Sequence, residues 1–300
     1  MYYLIYWSLY LVSLLPNFIL YGISDFFYFI IYYIIGYRKD VVFANLDIAF
    51  PEKTKKEKIV IAKKFYINFI DTFIETIKMV SMSDNQFSKM VEIDLDKVIA
   101  IANKGKSIQF HAGHQFNWEL ANWSIAQKMP IPFVGVYMKI SNPHLNKIFY
   151  DLRQKKGTIL VATHEFRNRM HQLLSTQYSI GLAADQNPGI ISNGFWLHFF
   201  GRPVPFVTGP DKGAIKNNTA VVFVELIKVR RGKYRFETTV IAEDTATLKE
   251  GQLTCMYRDL LEATIRKNPD NYLWTHRRWK SVFEPFFVNK WIDVVPPPTM

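Results

Sequence analysis

His114 and Glu119, in the stretch "HAGHQFNWEL", are the residues whose types and spacing suit catalysis. A carboxylate beside an imidazole fixes the tautomer and stabilises the imidazolium, so the free ring nitrogen can take a proton from a hydroxyl near neutral pH. The activated alcohol is then the nucleophile, and group transfer needs no covalent intermediate on the protein. Rival chemistries lack their parts. There is no Gly-x-Ser-x-Gly nucleophile elbow, and His111 and His114 have no further ligands at metal-site spacing. The lone Cys255 excludes an intrachain disulfide and a multi-thiolate zinc site, which fits a reducing compartment. Neither a metal nor an organic cofactor is expected.

The spacing also constrains the backbone. On one continuous helix, residues five apart point about 140° away from each other, so His114 and Glu119 meet only if the chain breaks between them. A strand ending near Gly113, a turn holding His114, and a helix N-capped by Asn117 would bring both side chains together, with Glu119 in the first helical turn. The flanking sequence supplies those elements. "SIQFHA", "IPFVGVYM", "TILVAT" and "SIGLAAD" read as strands, and "NWELANWSIAQK", "HLNKIFYDLRQKKG" and "EFRNRMHQLLSTQ" read as helices between them. Such alternation predicts an α/β fold, a mainly parallel mixed sheet flanked by helices. "AVVFVELIKVRRGKYRFETTVIAE" adds two long strands joined by an Arg-Gly turn, an antiparallel pair at one side of the sheet. Ligands of such sheets bind at the carboxyl ends of the strands, where His114 falls. Asp185 and Gln186 follow a strand in the same way and are candidates for binding acceptor hydroxyls. Ahead of the sheet, "TKKEKIVIAKKFYINFIDTFIETIKMV" predicts a long amphipathic helix whose Thr54 and Glu57 have capping-box spacing.

The first 37 residues differ from the rest. Before Arg38 there is no basic side chain and one acid, Asp25. "YYLIYWSLYLVSLLPNFILYG" is long enough to cross a hydrocarbon layer of roughly 30 Å, whereas "FFYFIIYYIIGY" is too short to cross alone and suits the interface. A cleaved signal peptide is disfavoured, since no basic n-region precedes the apolar run. Residues 1–37 are thus expected to form a membrane anchor, 38–294 the working domain, and 295–300 a frayed tail. Arg38, Lys39 and "PEKTKKEK" place the domain on the cytoplasmic side by the positive-inside rule. The net charge of +11 favours anionic partners: lipid headgroups, an acidic carrier protein or nucleic acid. "WTHRRWK" mixes cations with tryptophans in a way that suits an anionic membrane surface or a nucleic-acid patch, and the anchor favours lipid over nucleic acid.

Beyond the His-x4-Glu pair, "NLDIAFPEKT", "GLAADQNPG", "FFGRPVPFVTGP" and "YLWTHRRWK" form an ordered series of blocks. With the apolar N-terminus, they make nearly the whole chain resemble the late acyltransferases of lipid A biosynthesis, in a form similar to that of the Bacteroidetes, within the lysophospholipid acyltransferase superfamily. The resemblance implies transfer of a fatty acyl chain from an acyl carrier protein thioester, with acyl coenzyme A as an alternative donor, to a hydroxyl of a glycolipid acceptor. It implies the cytoplasmic face of the inner membrane as the place, His114 and Glu119 as the catalytic pair, and no cofactor. It also leads us to expect an apolar acyl channel between the sheet and the anchor. Arg202 would meet a phosphate of the glycolipid.

Two departures from the family pattern stand out. Where the family carries a cation directly after the tyrosine of "GVYMKISNP", this chain has Met138 and then Lys139. A one-residue slip on a strand sends a side chain to the opposite face, so Arg153 is the next candidate for a phosphate or oxyanion contact. Phe116 stands where glycine is common and would either narrow the acceptor site or pack in the core. Two readings of other kinds stay open from residues alone: acyl transfer to another lipid, and a non-catalytic membrane module that recruits a carrier or lipid.

Overall fold

Pro16 shapes the N-terminal segment. Lacking an N–H and disfavouring a helical residue before it, it ends α1 (Tyr2–Leu14), and a second helix starts at Asn17. In the computed structural model, which describes residues 1–173 and 175–298, α2 (Asn17–Phe29) continues through a π-helical stretch (Ile30–Ile35) to give 19 helical residues. At 1.5 Å per residue this is about 28 Å, and among the described residues it is the one helix long and apolar enough to cross a membrane. The run expected to cross, residues 2–22, is therefore two helices, and α1, at 13 residues, is too short. The second apolar run, expected to be short, is instead the C-terminal part of the long helix. Gly36 ends it with φ 66°, a left-handed conformation that glycine adopts without steric cost.

α3 (Lys39–Ala49) leads to α4 (Lys55–Lys78), which opens with the expected capping box: the Thr54 N–H donates to Glu57 at 2.8 Å, and the Glu57 N–H donates to Thr54 Oγ1 at 3.3 Å. α2 lies antiparallel along α4. Leu20 packs on Ile70 and Ile74, Tyr32 meets Tyr66 edge to face, and the Ser24 hydroxyl donates to Asp71 at 2.6 Å. The outer faces of α1 and α2 leave Leu4, Trp7, Leu14, Phe18 and Phe26 exposed.

After α5 (Asp84–Met90), β1 (Val91–Ile93) and α6 (Asp96–Asn103) the α/β alternation begins. It runs β2 (Ile108–Ala112), α7 (Trp118–Lys128), β3 (Phe133–Tyr137), α8 (Pro143–Gln154), β4 (Ile159–Ala162), α9 (Phe166–Leu173) and β5 (Ser179–Ala183). A hairpin, β6 (Phe195–Phe199) with β7 (Arg202–Phe206), stands apart as a second small sheet, and α10 (Gly209–Asn217) leads to β8 (Ala220–Arg230) and β9 (Lys233–Ala242). α11 (Gln252–Lys267) closes the fold. The main sheet has seven strands in the order β1-β9-β8-β2-β5-β3-β4, parallel except between β8 and β9, which turn at Arg231–Gly232. The mainly parallel sheet and its antiparallel pair are thus as the sequence predicts. Of the tail expected to fray, residues 295–298 carry no helix or strand, and 299–300 lie outside the described residues.

Both faces of the sheet are covered, as near-continuous apolar strands require. One face packs Phe110, Val222 and Val224 under Leu120 and Trp123 of α7 and Val98 of α6. The other packs Phe223 with Tyr257 and Leu261 of α11, Phe65 and Tyr66 of α4, and Trp274.

Candidate active site

Strand β2 delivers the chain to the site and a turn carries it away again. The His114 carbonyl accepts the Leu273 N–H at 3.0 Å, and Gln115 forms a bridge with Tyr272, so residues 272–273 pin the turn from outside. Asn117 caps α7 through its side-chain oxygen, which accepts the Glu119 N–H at 3.1 Å. Its amide donates to the buried Glu75 at 3.1 Å, a carboxylate that also receives the Tyr234 hydroxyl at 2.6 Å and the Tyr21 hydroxyl at 3.0 Å. The strand, turn and N-capped helix expected between His114 and Glu119 are all present, and both residues line one cavity of about 370 Å³.

They do not, however, pair. Nδ1 of His114 lies 2.6 Å from Asp185 Oδ1, and the His114 backbone N–H donates to Asp185 Oδ2 at 2.9 Å. Glu119 is instead gripped by Arg153, whose Nε donates to Oε2 at 2.9 Å while Nη2 donates to Oε1. The expectation that Glu119 orients the imidazole is corrected: Asp185 does, because β5 is the direct neighbour of β2 and brings residues 184–185 alongside 113–114. The Asp185 side chain, expected to bind acceptor hydroxyls, is 1% exposed. Nothing in the sequence order of strands reveals that adjacency.

The electrostatics follow from the geometry. Burial raises the Asp185 carboxyl, but the charge and hydrogen bonds of His114 outweigh it and hold the group down to about 2. Burial lowers the His114 imidazole, yet the Asp185 charge and hydrogen bond more than reverse this, leaving its pKa above the ordinary histidine value. An ionised carboxylate can only accept, so Nδ1 carries the proton and Nε2 presents its lone pair. The Gln186 amide nitrogen lies 3.0 Å from that lone pair. Trp118 packs edge-on to the imidazole at 6.2 Å between ring centroids.

The cavity is mostly apolar, with Ala112, Val224 and Leu226 from the sheet and Ala121 and Ile125 from α7 on its walls. Its polar side chains include His114, Glu119, Asn122, Tyr137 and Arg153. No residue of α1 or α2 lines it: this apolar cavity lies between the sheet and α7, whereas the acyl channel is expected between the sheet and the N-terminal segment.

The chain matches the family model described as bacterial lipid A biosynthesis acyltransferase over residues 1–281. It belongs to that family. Relatives include the lipid A biosynthesis palmitoleoyltransferase of Escherichia coli (strain K12), 20% identical over 250 residues that cover 81% of this chain and 79% of the relative. The lipid A biosynthesis acyltransferase of Haemophilus influenzae is 23% identical over 247 residues, 81% and 78% of the two chains. The protein is therefore an acyltransferase of lipid A biosynthesis.

Within this lipid A acyltransferase the remaining candidates separate. Lys139 does not replace the missing cation: it is exposed and donates to Glu165 at 3.3 Å, while Met138 lines the cavity. Among the described residues, Arg153 is the only lysine or arginine on the cavity wall. Arg202 stands exposed at the start of β7 and is not part of the cavity lining. Phe116 is fully buried among Phe65, Phe69 and Trp118, so it packs and does not narrow the cavity. "WTHRRWK" was expected at an anionic surface, but Trp274 and Arg278 are buried, and only Arg277 and Lys280 are exposed. Arg278 donates to Asn187 at 2.6 Å and to the Pro205 carbonyl at 2.9 Å, and the Asn187 amide donates to the Arg277 carbonyl at 2.9 Å. The motif thus braces the loop that carries Asp185 and Gln186. Asn45 of the "NLDIAFPEKT" block in turn binds the carbonyls of Trp274 and His276.

Gly113 is required by close packing. A Cβ there would overlap the buried Leu261 side chain of α11. Gly113→Ala is expected to cost about 1–3 kcal/mol, the usual range for overpacking. Combined with Leu261→Ala it should cost less than the sum of the two single changes, because the second makes room for the first. Thermal unfolding of the four detergent-solubilised proteins measures this, and strict additivity would refute the overlap.

Proposed function

We propose that this acyltransferase moves a fatty acyl chain from acyl carrier protein to a hydroxyl of a lipid A precursor, with His114 as general base and Asp185, not Glu119, as the group that orients it. The observation that carries this reading is an imidazole clamped at Nδ1 by a buried carboxylate, with Nε2 at the mouth of an apolar cavity. The acyl chain lies in the cavity with its thioester at the mouth. An incoming hydroxyl displaces the Gln186 amide and gives its proton to Nε2, and the oxygen attacks the thioester carbonyl. The tetrahedral oxyanion collapses, the C–S bond breaks, and the carrier thiolate takes the proton back from the imidazolium. Arg153 offers its positive charge to the developing oxyanion or to a phosphate of the acceptor. Gln186 then binds the acceptor near the reacting hydroxyl. The exposed apolar faces of α1 and α2 seat the protein in the inner membrane, and the positive-inside bias favours the cytoplasmic face for the site. The basic surface suits both an acidic carrier protein and an anionic glycolipid.

The test is product mass. Detergent-solubilised full-length protein is mixed with a tetra-acylated lipid A precursor and either acyl carrier protein thioester or acyl coenzyme A. Gain of one acyl chain, with one thiol released per chain and the carrier thioester used faster, is the expected result. No gain on this acceptor, beside a gain on another glycolipid or lipid, would overturn the acceptor assignment. The same assay reads chain length: Ala121→Phe fills part of the cavity and should shift preference toward shorter donors, by about tenfold or more per excluded methylene. An unchanged chain-length profile would show that the acyl chain lies elsewhere.

A further inference from the structure

A second cavity, of about 330 Å³, opens where the start of α2, the end of α4, α5 and the tip of the β8–β9 hairpin meet. Five of its lining residues are Lys or Arg and one, Glu75, is acidic. Two of the cations are already engaged. Lys78 donates to the carbonyls of Ser13 and Leu15, and Arg231 is bound by Asp71 and Asp25. Lys89, Arg230 and Lys233 have no carboxylate partner among the described residues, and they converge on the cavity without a counterion. Glu75 does not balance them, because its carboxylate is 2% exposed and occupied by Tyr21, Tyr234 and Asn117.

The lining also carries apolar side chains: Leu20, Ile74, Met82 and Met90. Beside it, Phe18 and Leu14 carry the exposed oily face of the N-terminal helices. A ligand that fits carries negative charge at one end and hydrocarbon at the other. Along β8, Arg230 is four residues beyond Leu226, which lines the catalytic cavity. At 3.3 Å per residue that separation is about 13 Å, and no residue lines both cavities, so this cavity is distinct from the one holding His114. We infer that it binds the phosphate of an anionic phospholipid from the surrounding leaflet, its acyl chains resting on the exposed face of α1 and α2. The assignment is independent of which acyl donor or acceptor the enzyme uses, and its test reads binding.

The full-length protein in detergent is titrated with short-chain phosphatidylglycerol, short-chain phosphatidylcholine and inorganic phosphate, by equilibrium dialysis. Phosphatidylglycerol should bind saturably and more tightly than either control. Lys89→Gln, Arg230→Gln and Lys233→Gln should each weaken it roughly fivefold, and together on the order of a hundredfold, if each cation near a lipid phosphate contributes as usual. Arg231 is left untouched because it neutralises Asp71. Thermal unfolding of the triple variant checks its fold, and the single variants carry the test if it unfolds. Equal affinity for phosphatidylcholine would reduce the site to an apolar groove, equal affinity for inorganic phosphate would make it a bare anion site, and unchanged binding by the variants would place the lipid elsewhere. Each of those results overturns the inference.

Discussion

Asp185→Asn is expected to slow acyl transfer roughly 100- to 10,000-fold, and to move the acid limb of the rate profile to lower pH. The carboxylate makes two contacts with one residue, to Nδ1 at 2.6 Å and to the backbone N–H at 2.9 Å, so it fixes both the ring's plane and its tautomer. An Asn that turns its amide N–H toward the ring favours the tautomer with the proton on Nε2, where a lone pair is needed. The pH shift has a definite sign. His114 is raised above the ordinary histidine value because the Asp185 charge overcomes burial. As a base it must be neutral, so activity in the native protein rises with pH through a value above about 6.5 and then levels. With the charge removed, burial remains and the midpoint falls below that reference. His114→Ala should abolish transfer at least as completely, with no acid limb left to measure. Glu119→Gln is the discriminating comparison, since it leaves the imidazole's partner in place and should not move the limb. If Glu119→Gln shifts the limb and Asp185→Asn does not, the assignment of the orienting carboxylate is wrong.

That comparison also marks where the sequence stopped being legible. His114, the break after Gly113, the Asn117 cap and the position of Glu119 all depend on neighbours within a few residues, where local rules operate, and they are found as expected. Capping-box spacing at Thr54 and the Arg-Gly turn between β8 and β9 are local in the same sense. The partner of His114 is not. Asp185 lies 71 residues away and reaches it only because β5 inserts beside β2 in the sheet order, and a chain of alternating strands and helices is compatible with many such orders. The same holds for "WTHRRWK", whose composition reads as surface while its fold buries Arg278 behind the Asp185 loop. Composition reports what a segment can do in water, and it is silent about which segment will cover it. The N-terminus departs from expectation for a smaller reason: Pro16 divides the apolar run into two helices, and proline is among the most reliable helix punctuators.

Arg153→Met should destabilise the protein by roughly 2–4 kcal/mol, somewhat less than for a fully buried pair because the Arg153 side chain keeps 20% of its exposure. The loss arises on the other partner: the Glu119 side chain is 5% exposed, and without the guanidinium it is a carboxylate with no cation in a largely apolar cavity. Removing that charge as well, in Glu119→Gln with Arg153→Met, should return stability to within about 1 kcal/mol of the native protein, since a neutral pair of similar volume has little to desolvate. Thermal unfolding separates the single from the double variant, and transfer activity then decides what the pair is for. If the pair only braces α7 against α8, where Trp123 Nε1 also donates to the Leu152 carbonyl at 2.8 Å, activity recovers with stability. We expect it to stay down by at least roughly tenfold, because among the described residues Arg153 is the only lysine or arginine on the wall of the cavity that holds His114, and a preorganised charge there stabilises an oxyanion or a phosphate in ways a methionine cannot. A stable, fully active double variant would assign the pair to scaffolding and leave the oxyanion to backbone N–H groups alone.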